Sequence, residues 1–311
     1  MTDAGVAGLP TRATSCAICG TEGHARELYP ATFGSEALTG GFFSARRVPD
    51  GAHHRIVVCE NCGLVRSNPL LDDEVLADLY AESTFDYAGE VESITDTYER
   101  YLGLLEARAP GRRDGLLEIG CGNGFFLERA VARGWTGVRG VEPSSDAIAK
   151  APEGIRAAIV CDLMRRDLFP AESFDAVCLF QVLDHLPDPR ETLAAAFELL
   201  RPGGLVLALN HNVQSVSARL LREHSPIIDI EHTFLYSPTT MRLLFERCGF
   251  RTTSITTVRN TYSLAYLAQL LPVPSGPKRR LLEALRRSRV GRVTVTVPLG
   301  NICLIAERPP R

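Results

Sequence analysis

The sequence predicts an α/β protein with a mostly parallel sheet that helices cover on both faces, behind a small metal-binding segment. Three observations favour this fold class. In the middle of the chain, short apolar runs alternate with segments of helical period, an order that right-handed crossovers convert into a parallel sheet. The first run leads into three glycines at alternate positions, Gly120, Gly122 and Gly124. Two C-x-x-C-G motifs precede it, at residues 16–20 and 59–63.

Composition bounds the class of protein. The chain has 311 residues, of which 45% are hydrophobic and 23% are charged, and its formal net charge is -3. It can therefore bury a large core, and the net charge gives no global reason to expect nucleic acid or a membrane as the partner. We find no apolar run that could span a membrane and no basic start followed by an apolar signal core, so we expect a cytoplasmic location.

Residues 1–70 are predicted to form a small, zinc-binding, ribbon-like domain. Two residues between thiolates let both sulfurs of a pair reach one tetrahedral ion, and the glycine after each pair allows the turn to close. An alternating segment at residues 55–58 predicts a strand that delivers the second pair. The interpretation is a closed, structural Zn²⁺ site; the alternative is a redox dithiol, which normally comes as a single pair. We interpret His24, His53 and His54 as surface residues. The predicted zinc ligands are Cys16, Cys19, Cys59 and Cys62.

Residues 71–110 are predicted to form a helical connector, followed by a main domain over residues 111–311. In that domain, apolar runs predict strands and the segments between them predict helices. The strands are expected at residues 116–119, 138–141, 157–160, 174–180 and 205–209, and the helices at residues 125–133, 145–150 and 191–200. Ligands of such sheets bind at the carboxyl ends of the strands, so the glycine turn should face a ligand.

The glycine turn and an acidic residue after the second strand indicate a nucleoside. Glu142 follows Gly120 by 22 positions, where a carboxylate can accept hydrogen bonds from both hydroxyls of a ribose. A dinucleotide fingerprint would place its third glycine one position later, where Phe125 stands. The pattern therefore disfavours NAD and favours a cofactor with an adenosine but no pyrophosphate.

Five motifs follow one another in a fixed order along the main domain. They are EIGCGNG at residues 118–124, VEPS at 141–144, CDL at 161–163, SFDAV at 173–177 and LRPGG at 200–204. These motifs resemble those of class I S-adenosylmethionine-dependent methyltransferases. The resemblance implies a Rossmann-like sheet of seven strands whose last strand is antiparallel, with final strands at residues 250–258 and 293–307 and an insertion over residues 261–292. The cysteine pairs resemble the zinc-binding head of bacterial sugar C-methyltransferases and related natural-product enzymes.

The resemblance also implies roles on the cofactor side. The glycine turn would run beside the methionine part of S-adenosylmethionine, and Glu142 would hold the ribose hydroxyls. Asp162 and Leu163 would hold the adenine, with capping of the next segment as the alternative for Asp162. Phe180 and Gln181 would sit near the sulfonium, with a plain strand-end role as the alternative for Gln181. The full predicted cofactor set is Glu118, Gly120, Gly122, Gly124, Glu142, Pro143, Asp162, Leu163, Phe180, Gln181 and Tyr87.

Catalytic candidates lie just beyond the strand ends. Methyl transfer from a sulfonium is an in-line displacement, so the protein mainly aligns the acceptor, excludes water and, for a poor nucleophile, removes a proton. The E-H-x-x-x-x-S pattern at residues 231–237 resembles the catalytic segment of the sugar C-methyltransferases. We predict His232 as the base, assisted by Glu231, with His211 directly after the fifth strand as a further candidate. The alternative for His232 is a structural role in a lid over the cofactor, and a structural role is favoured for His185.

These residues predict methyl transfer to a small-molecule acceptor, a natural product or a sugar derivative. Oxygen or nitrogen is favoured over carbon, because Ile230 stands where the sugar C-methyltransferases have a more polar segment. A basic stretch at residues 278–289 could face an acidic or carrier-bound acceptor, with a solvated face as the alternative. The competing function is a zinc-ribbon nucleic-acid-binding protein or an RNA methyltransferase. We disfavour it because residues 34–62 hold only three arginines and no lysine.

Overall fold

The computed structural model describes residues 10–32, 51–82, 91–269, 275–288 and 290–310. The strands, in chain order, are β1 (Thr11–Arg12), β2 (Ala25–Tyr29), β3 (Ile56–Cys59), β4 (Val65–Ser67), β5 (Leu70–Leu71), β6 (Asp114–Ile119), β7 (Thr136–Glu142), β8 (Ile159–Cys161), β9 (Phe174–Phe180), β10 (Leu200–His211), β11 (Phe234–Leu235), β12 (Arg251–Ser263) and β13 (Thr294–Glu307). The helices are α1 (Asp73–Ala81), α2 (Val91–Glu106), α3 (Phe125–Ala132), α4 (Ser145–Ala149), α5 (Glu153–Arg156), α6 (Pro189–Leu199), α7 (Val216–Leu221), α8 (Pro238–Arg247), α9 (Leu264–Gln269) and α10 (Ser275–Arg287). None of these described helices is long and apolar enough to cross a bilayer.

The main sheet has seven strands within the described residues, in the order β12-β13-β10-β9-β6-β7-β8. Strands β6 to β10 pair in parallel, whereas β13 runs antiparallel to both β10 and β12. This arrangement confirms the predicted Rossmann-like fold class, with an antiparallel last strand. The carboxyl ends of β6, β7, β9 and β10 consequently meet at one edge of the sheet.

Alternation along the strands divides the core into two layers. In β6, Leu117 and Ile119 join one apolar cluster and Leu116 joins the other, because successive side chains of a strand point to opposite faces. The first cluster includes residues of α6 and α8, and the second includes residues of α2 and α3. Each fully buried leucine in these layers stabilises the fold by about 2 kcal/mol. Helices therefore cover both faces, as the alternating pattern predicts.

The N-terminal part contributes to a second sheet, of order β11-β4-β3-β2. Its strand β3 overlaps the strand predicted at residues 55–58 and ends at Cys59. Its edge strand β11 belongs to the main part of the chain, where Phe234 pairs with Arg66 and Leu235 pairs with Val65. The cysteine segment and the segment that follows His232 therefore share one sheet.

The interpretation of His53 and His54 as surface residues is wrong, because both side chains are fully buried. His53 Nδ1 lies 2.7 Å from the carbonyl oxygen of His54, and its Nε2 lies 3.5 Å from Glu223 Oε1. A polar pair ahead of a strand resembles an exposed loop in the sequence, and the distant partner Glu223 cannot be predicted from it. His24 is exposed, as expected.

Strand β12 is longer than the resemblance implies, whereas β13 closely matches the expected residues 293–307. Pairing between β12 and β13 continues to Ser263 and Thr294, so α9 and α10 stand at the tip of a long hairpin. His211, the last residue of β10, pairs with Asn301 of β13, and the residues of β13 before Asn301 extend beyond that end of β10. The basic stretch predicted at residues 278–289 falls largely within α10. The hairpin tip thus lies beyond the same sheet edge as the glycine turn.

Candidate active site

The glycine turn joins β6 to α3 at the carboxyl edge of the sheet. Gly120, Gly122 and Gly124 have φ angles of 70°, 55° and 74°, in a left-handed region that glycine adopts without strain. A Cβ on Gly124 would lie 2.6 Å from Ile155 Cγ2, so a larger residue has neither the freedom nor the room at this position. The first N–H groups of α3 follow directly and have no acceptor inside the helix. The turn is therefore a main-chain surface suited to a closely approaching ligand.

Glu142 ends β7 and is tied to this turn. Its Oε2 accepts the Gly122 N–H at 2.9 Å, and its Oε1 accepts the Ser144 N–H at 2.9 Å. Burial raises the pKa of Glu142, and these two hydrogen bonds oppose the shift. Pro143 lies between Glu142 and Ser144, where the chain leaves the strand. The predicted positions thus meet at one edge, and the ribose role of Glu142 stays a prediction.

Four polar side chains at this carboxyl edge of the sheet carry buried atoms that have no hydrogen-bond partner among the described residues. They are Glu118 (Oε2), Asn123 (Oδ1), Gln181 (Oε1) and Asn210 (Oδ1 and Nδ2). Burial, and then the nearby Glu142, raises the pKa of Glu118 well above its usual range. Because an unsatisfied buried polar group costs about 1–3 kcal/mol, these atoms fit a polar ligand. The amino group, carboxylate and ribose of S-adenosylmethionine offer such partners.

Asp162 and Leu163 follow β8. Asp162 Oδ1 accepts the Leu163 N–H at 2.7 Å, and its Oδ2 lies 2.8 Å from Arg165 Nη1. These contacts are those of the capping alternative, and they leave the side chain of Leu163 46% exposed at the rim. Contact of these two residues with an adenine stays a prediction.

Phe180 and Gln181 lie at the carboxyl end of β9. The ring of Phe180 stacks on Tyr98 of α2, with ring centroids 4.1 Å apart. Gln181 has a φ of 57°, a conformation that is rare for residues other than glycine and recurs at functional sites. Tyr87, the remaining predicted cofactor residue, lies outside the described residues. Tyr98 is a site-adjacent aromatic that the sequence shows only as an apolar position of a helix.

Three histidines converge on one carboxylate beside this edge, and we call Asp184, His185, His211 and His232 the Asp–His cluster. His211 Nδ1 lies 2.6 Å from Asp184 Oδ2, and His232 Nε2 lies 3.8 Å from the same oxygen. His185 Nε2 lies 3.8 Å from Asp184 Oδ1. The ring of His232 is 4.8 Å from that of His185 and 5.0 Å from that of His211, centroid to centroid. The cluster is therefore compact.

The charges of the cluster follow from its burial. Burial alone would raise the pKa of Asp184, but the histidines, with His211 first, hold it well below its usual range. Burial lowers the pKa of His185 to about 4 and lowers that of His232, although Asp184 opposes both shifts. At neutral pH, Asp184 is thus an anion while His185 and His232 are uncharged. The side chains of His211 and His185 are 25% and 23% exposed, whereas that of His232 is 8% exposed.

The two residues predicted as base and assistant lie beside each other but face different partners. His232 Nδ1 lies 2.9 Å from the carbonyl oxygen of Ile227, and its side chain is 8% exposed. Glu231 Oε2 lies 3.9 Å from His185 Nδ1. The structure therefore brings His211 and His232 together through Asp184, and it brings Glu231 to His185.

Sequence reasoning missed Asp184, on which the cluster is centred. Its side chain is fully buried, and its carbonyl oxygen accepts the Thr233 N–H at 2.7 Å, which ties the end of β9 to the segment of His232. The available signal was an acidic residue inside the apolar run VLDHL. A buried carboxylate at a strand end indicates a site more strongly than the histidine beside it.

The four predicted zinc ligands form one group. Cys16 Sγ lies 3.3 Å from Cys62 Sγ, and Cys19 Sγ lies 3.6 Å from Cys59 Sγ, while all four sulfurs lie within 4.8 Å of one another. Sulfurs on a tetrahedral zinc ion, each about 2.3 Å from the metal, are about 3.8 Å apart. The four thiols, none of which forms a disulfide, fit such an ion.

Comparison with known proteins identifies the family. Residues 91–255, just over half of the chain, match the family described as "Methyltransferase domain". The chain belongs to this family, and the S-adenosylmethionine-dependent methyltransferase class predicted from its motifs is confirmed.

Curated relatives carry a more specific name. The chain is 28% identical over 144 residues to a ubiquinone biosynthesis O-methyltransferase of Neisseria meningitidis serogroup C, a match that covers 43% of this chain and 60% of the relative. It is 29% identical over 126 residues to the protein of the same name from Saccharophagus degradans, covering 39% of this chain and 53% of the relative. The chain thus spans less than two thirds of the length of these relatives.

Solved structures give weak overall similarity. An S-adenosylmethionine-dependent methyltransferase from Archaeoglobus fulgidus has a TM-score of 0.48 at 21% identity, covering 76% of this chain and 100% of the other. Geranyl diphosphate C-methyltransferase from Streptomyces coelicolor A3(2) has a TM-score of 0.45 at 15% identity, covering 71% of this chain and 83% of the other. The fold assignment therefore depends on the strand order and the family match.

Proposed function

We propose that the protein transfers a methyl group from S-adenosylmethionine to an oxygen or nitrogen atom of a small-molecule acceptor. The observation that carries the proposal is the glycine turn tied to Glu142, surrounded by buried polar atoms without partners, in a chain of the methyltransferase family. Oxygen is the first choice, because the curated relatives are named O-methyltransferases.

The cofactor side has three tasks in this proposal. S-adenosylmethionine, when bound, supplies an electrophilic methyl group on a sulfonium. Glu142 would hold the ribose hydroxyls, and Glu118 with the glycine turn would hold the methionine part. The stacked rings of Tyr98 and Phe180 place apolar surface beside these groups, which excludes water from the reacting centre. Alignment of this kind supplies much of the rate, since the methyl group is already activated.

The acceptor would lie against the Asp–His cluster, where its proton is lost. Of the two histidines proposed for this step, His211 is 25% exposed and His232 is 8% exposed, so the contacts favour His211 as the residue that meets the acceptor. Basic residues of α10 favour an acidic acceptor, because Arg279, Arg280 and Arg287 are exposed at the hairpin tip.

The cysteine group would hold a structural Zn²⁺ ion in the same protein. All four ligands are thiolates, which leaves no open position for a substrate. The ion would stabilise the turn between β3 and β4, since Cys59 ends β3 and Cys62 lies three residues before Val65 of β4. Its role is therefore to fix the sheet that includes β11.

The proposal is tested by binding and by product analysis. We expect S-adenosylmethionine and S-adenosylhomocysteine to raise the melting temperature of the protein and NAD to leave it unchanged. Incubation with methyl-labelled S-adenosylmethionine and a panel of phenols, catechols, amines and sugar phosphates should then yield a labelled product. Stabilisation by NAD but not by S-adenosylmethionine would refute the proposal.

A further inference from the structure

We propose that Asp184, His211 and His232 bind a divalent transition-metal ion on the acceptor side of the cleft, separate from the cysteine site. The site itself is argued from the geometry of the cluster. Only the role of the ion in methyl transfer rests on the proposed function.

The three residues come from three segments that meet at one point. Asp184 lies four residues after the end of β9, His211 is the last residue of β10, and His232 lies two residues before β11. Each offers one ligand atom, and these atoms lie within 4.8 Å of one another. Two imidazoles and one carboxylate form a common ligand set for first-row divalent metals.

The hydrogen bond of His232 fixes which of its nitrogens is free. Its Nδ1 lies 2.9 Å from the carbonyl oxygen of Ile227, and a carbonyl only accepts, so Nδ1 carries the proton. In the neutral ring, Nε2 then presents a lone pair, and it lies 3.8 Å from Asp184 Oδ2. Two acceptors face each other, and a cation between them satisfies both. A ring proton donated to a carbonyl is also the usual support of a metal-bound histidine.

Asp184 is a buried carboxylate whose ion-pair partners among the described residues are histidines alone. Its carboxylate is completely buried, and Oδ1 has no hydrogen bond within the described part of the chain. Its ion-pair partners there are His185, His211 and His232, with no lysine or arginine. The further titratable groups at the cluster are Glu231, Asp229 and Tyr236, none of which can carry a positive charge. Only His211 lies within hydrogen-bond distance of Asp184, and a buried carboxylate is costly unless it is well paired, so a bound cation would stabilise the cluster.

The donor set selects the class of ion. Imidazole nitrogen suits Zn²⁺, Fe²⁺ and similar ions, whereas Mg²⁺ and Ca²⁺ prefer oxygen donors. Three protein ligands leave coordination positions open, as in catalytic metal sites. The His211 Nδ1 proton, now shared with Asp184 Oδ2 at 2.6 Å, would be displaced when the ion binds.

The open positions indicate what the ion does in the proposed reaction. An acceptor hydroxyl that coordinates the ion loses its proton to solvent at neutral pH, because a bound cation lowers the hydroxyl pKa. The resulting oxygen attacks the sulfonium methyl: a C–O bond forms, and the C–S bond breaks with its electron pair returning to sulfur. The products are the methylated acceptor, S-adenosylhomocysteine and the released proton.

Cobalt distinguishes the two proposed sites, because thiolate ligands give intense near-ultraviolet charge-transfer bands with Co²⁺ and nitrogen or oxygen ligands do not. The chelator-treated protein is dialysed against low micromolar Co²⁺, and bound metal is counted by mass spectrometry. We expect two ions per chain, one with thiolate bands. Asp184→Asn and His232→Ala should each bind one ion and keep those bands. The control variant His224→Ala, at an exposed histidine outside the cluster, should bind two ions.

His211→Ala serves as the variant least disruptive to folding, because its side chain is partly exposed, and it should also lose one ion. S-adenosylmethionine binding reports whether each variant is folded. One thiolate-bound ion in the wild-type protein, or two ions in all three cluster variants, overturns the metal site. Methyl transfer by a protein that binds one ion would leave the proposed function intact while refuting this site.

Discussion

On the proposed cofactor side, one continuous stretch, residues 118–124, is tied to the side chain of Glu142 through the Gly122 N–H. On the proposed acceptor side, side chains from the ends of β9 and β10 and from the segment before β11 meet at Asp184. The first side depends on backbone conformation at adjacent positions. The second depends on the tertiary fold, and through β11 it also depends on the cysteine sheet.

This difference implies that substitutions can affect cofactor binding and turnover separately. Sites without shared partners contribute independently, to within about 0.5 kcal/mol or about twofold in a binding constant. A change on the acceptor side should therefore lower turnover and spare cofactor binding, and a change at the turn should weaken cofactor binding directly.

The largest expected effect comes from the cysteine site. In Cys59→Ser we expect loss of the zinc ion and of methyl transfer, because a structural zinc site contributes on the order of 10 kcal/mol to the fold that it holds. Metal content, limited proteolysis of the N-terminal part and turnover would be measured. Cys161→Ser, at an exposed cysteine, is the control for metal content and proteolysis. Equal loss of S-adenosylmethionine binding would show that the two sides are not separable.

The next effect is expected at His211. His211→Ala should lower turnover by about 10²- to 10⁴-fold, the usual range for a residue that assists proton removal, and leave the S-adenosylmethionine Kd within about twofold. Steady-state kinetics and calorimetric titration check the two quantities. The exposed His224 provides the matched control, His224→Ala. Normal turnover of His211→Ala, together with low turnover of His232→Ala, would restore His232 as the residue that meets the acceptor.

Glu142→Ala tests the cofactor side. Hydrogen bonds to a charged group contribute about 1.5–3 kcal/mol each, so we expect the S-adenosylmethionine Kd to rise by about 100-fold. Calorimetric titration measures the change. Glu153→Ala, an exposed glutamate in the next helix but one, should bind as the wild-type protein does. A wild-type Kd in Glu142→Ala would exclude Glu142 from the cofactor site.

The smallest effect concerns acid stability of the cysteine sheet. Burial, and then His53, lowers the pKa of His54 to about 4 from 6.5 in an unfolded chain. The unfolded chain therefore takes up a proton between pH 6.5 and 4 that the folded protein excludes, so stability falls as the pH falls through that window. The expected loss between pH 7 and 5 is about 2 kcal/mol.

Urea unfolding at the two pH values measures that loss in the wild-type protein, in His54→Gln and in His24→Gln. The first variant should lose less stability on acidification than the wild-type protein, and the second, at an exposed histidine, should lose as much. An unchanged pH dependence in His54→Gln would show that His54 is not the group that titrates.

The same contrast explains what the sequence could predict. The strands of the main sheet are marked by apolar runs, and the turn at Gly120 to Gly124 is marked by its glycine spacing. Because both signals are local, the fold class could be predicted, and the prediction was confirmed. The acceptor side has no such signal, because Asp184, His211 and His232 are separated by 27 and 21 positions and meet only through tertiary contacts. The buried pair His53 and Glu223 is 170 positions apart, and burial of His53 was missed for the same reason.

Strand β11 is a second feature that could not be predicted from the sequence. It has two residues, Phe234 and Leu235, which is too short for an alternating pattern to be recognised. Its pairing with β4 therefore could not be predicted from the sequence. The pairing joins residues 65–66 of the N-terminal part to residues 234–235 of the main part in one sheet.

The β4–β11 pairing has a consequence for protein engineering. The Ser67 hydroxyl donates to the carbonyl oxygen of His232 at 3.0 Å, and the Ser67 N–H donates to that of Thr233 at 2.9 Å. A chimera could take the cysteine-containing N-terminal part from one homologue and the main domain from another. Its β4 and β11 would then come from different proteins, and the contacts between them would be mismatched. Grafting the N-terminal part together with residues 225–237 would transfer both partners of these hydrogen bonds, and with them the segment of His232.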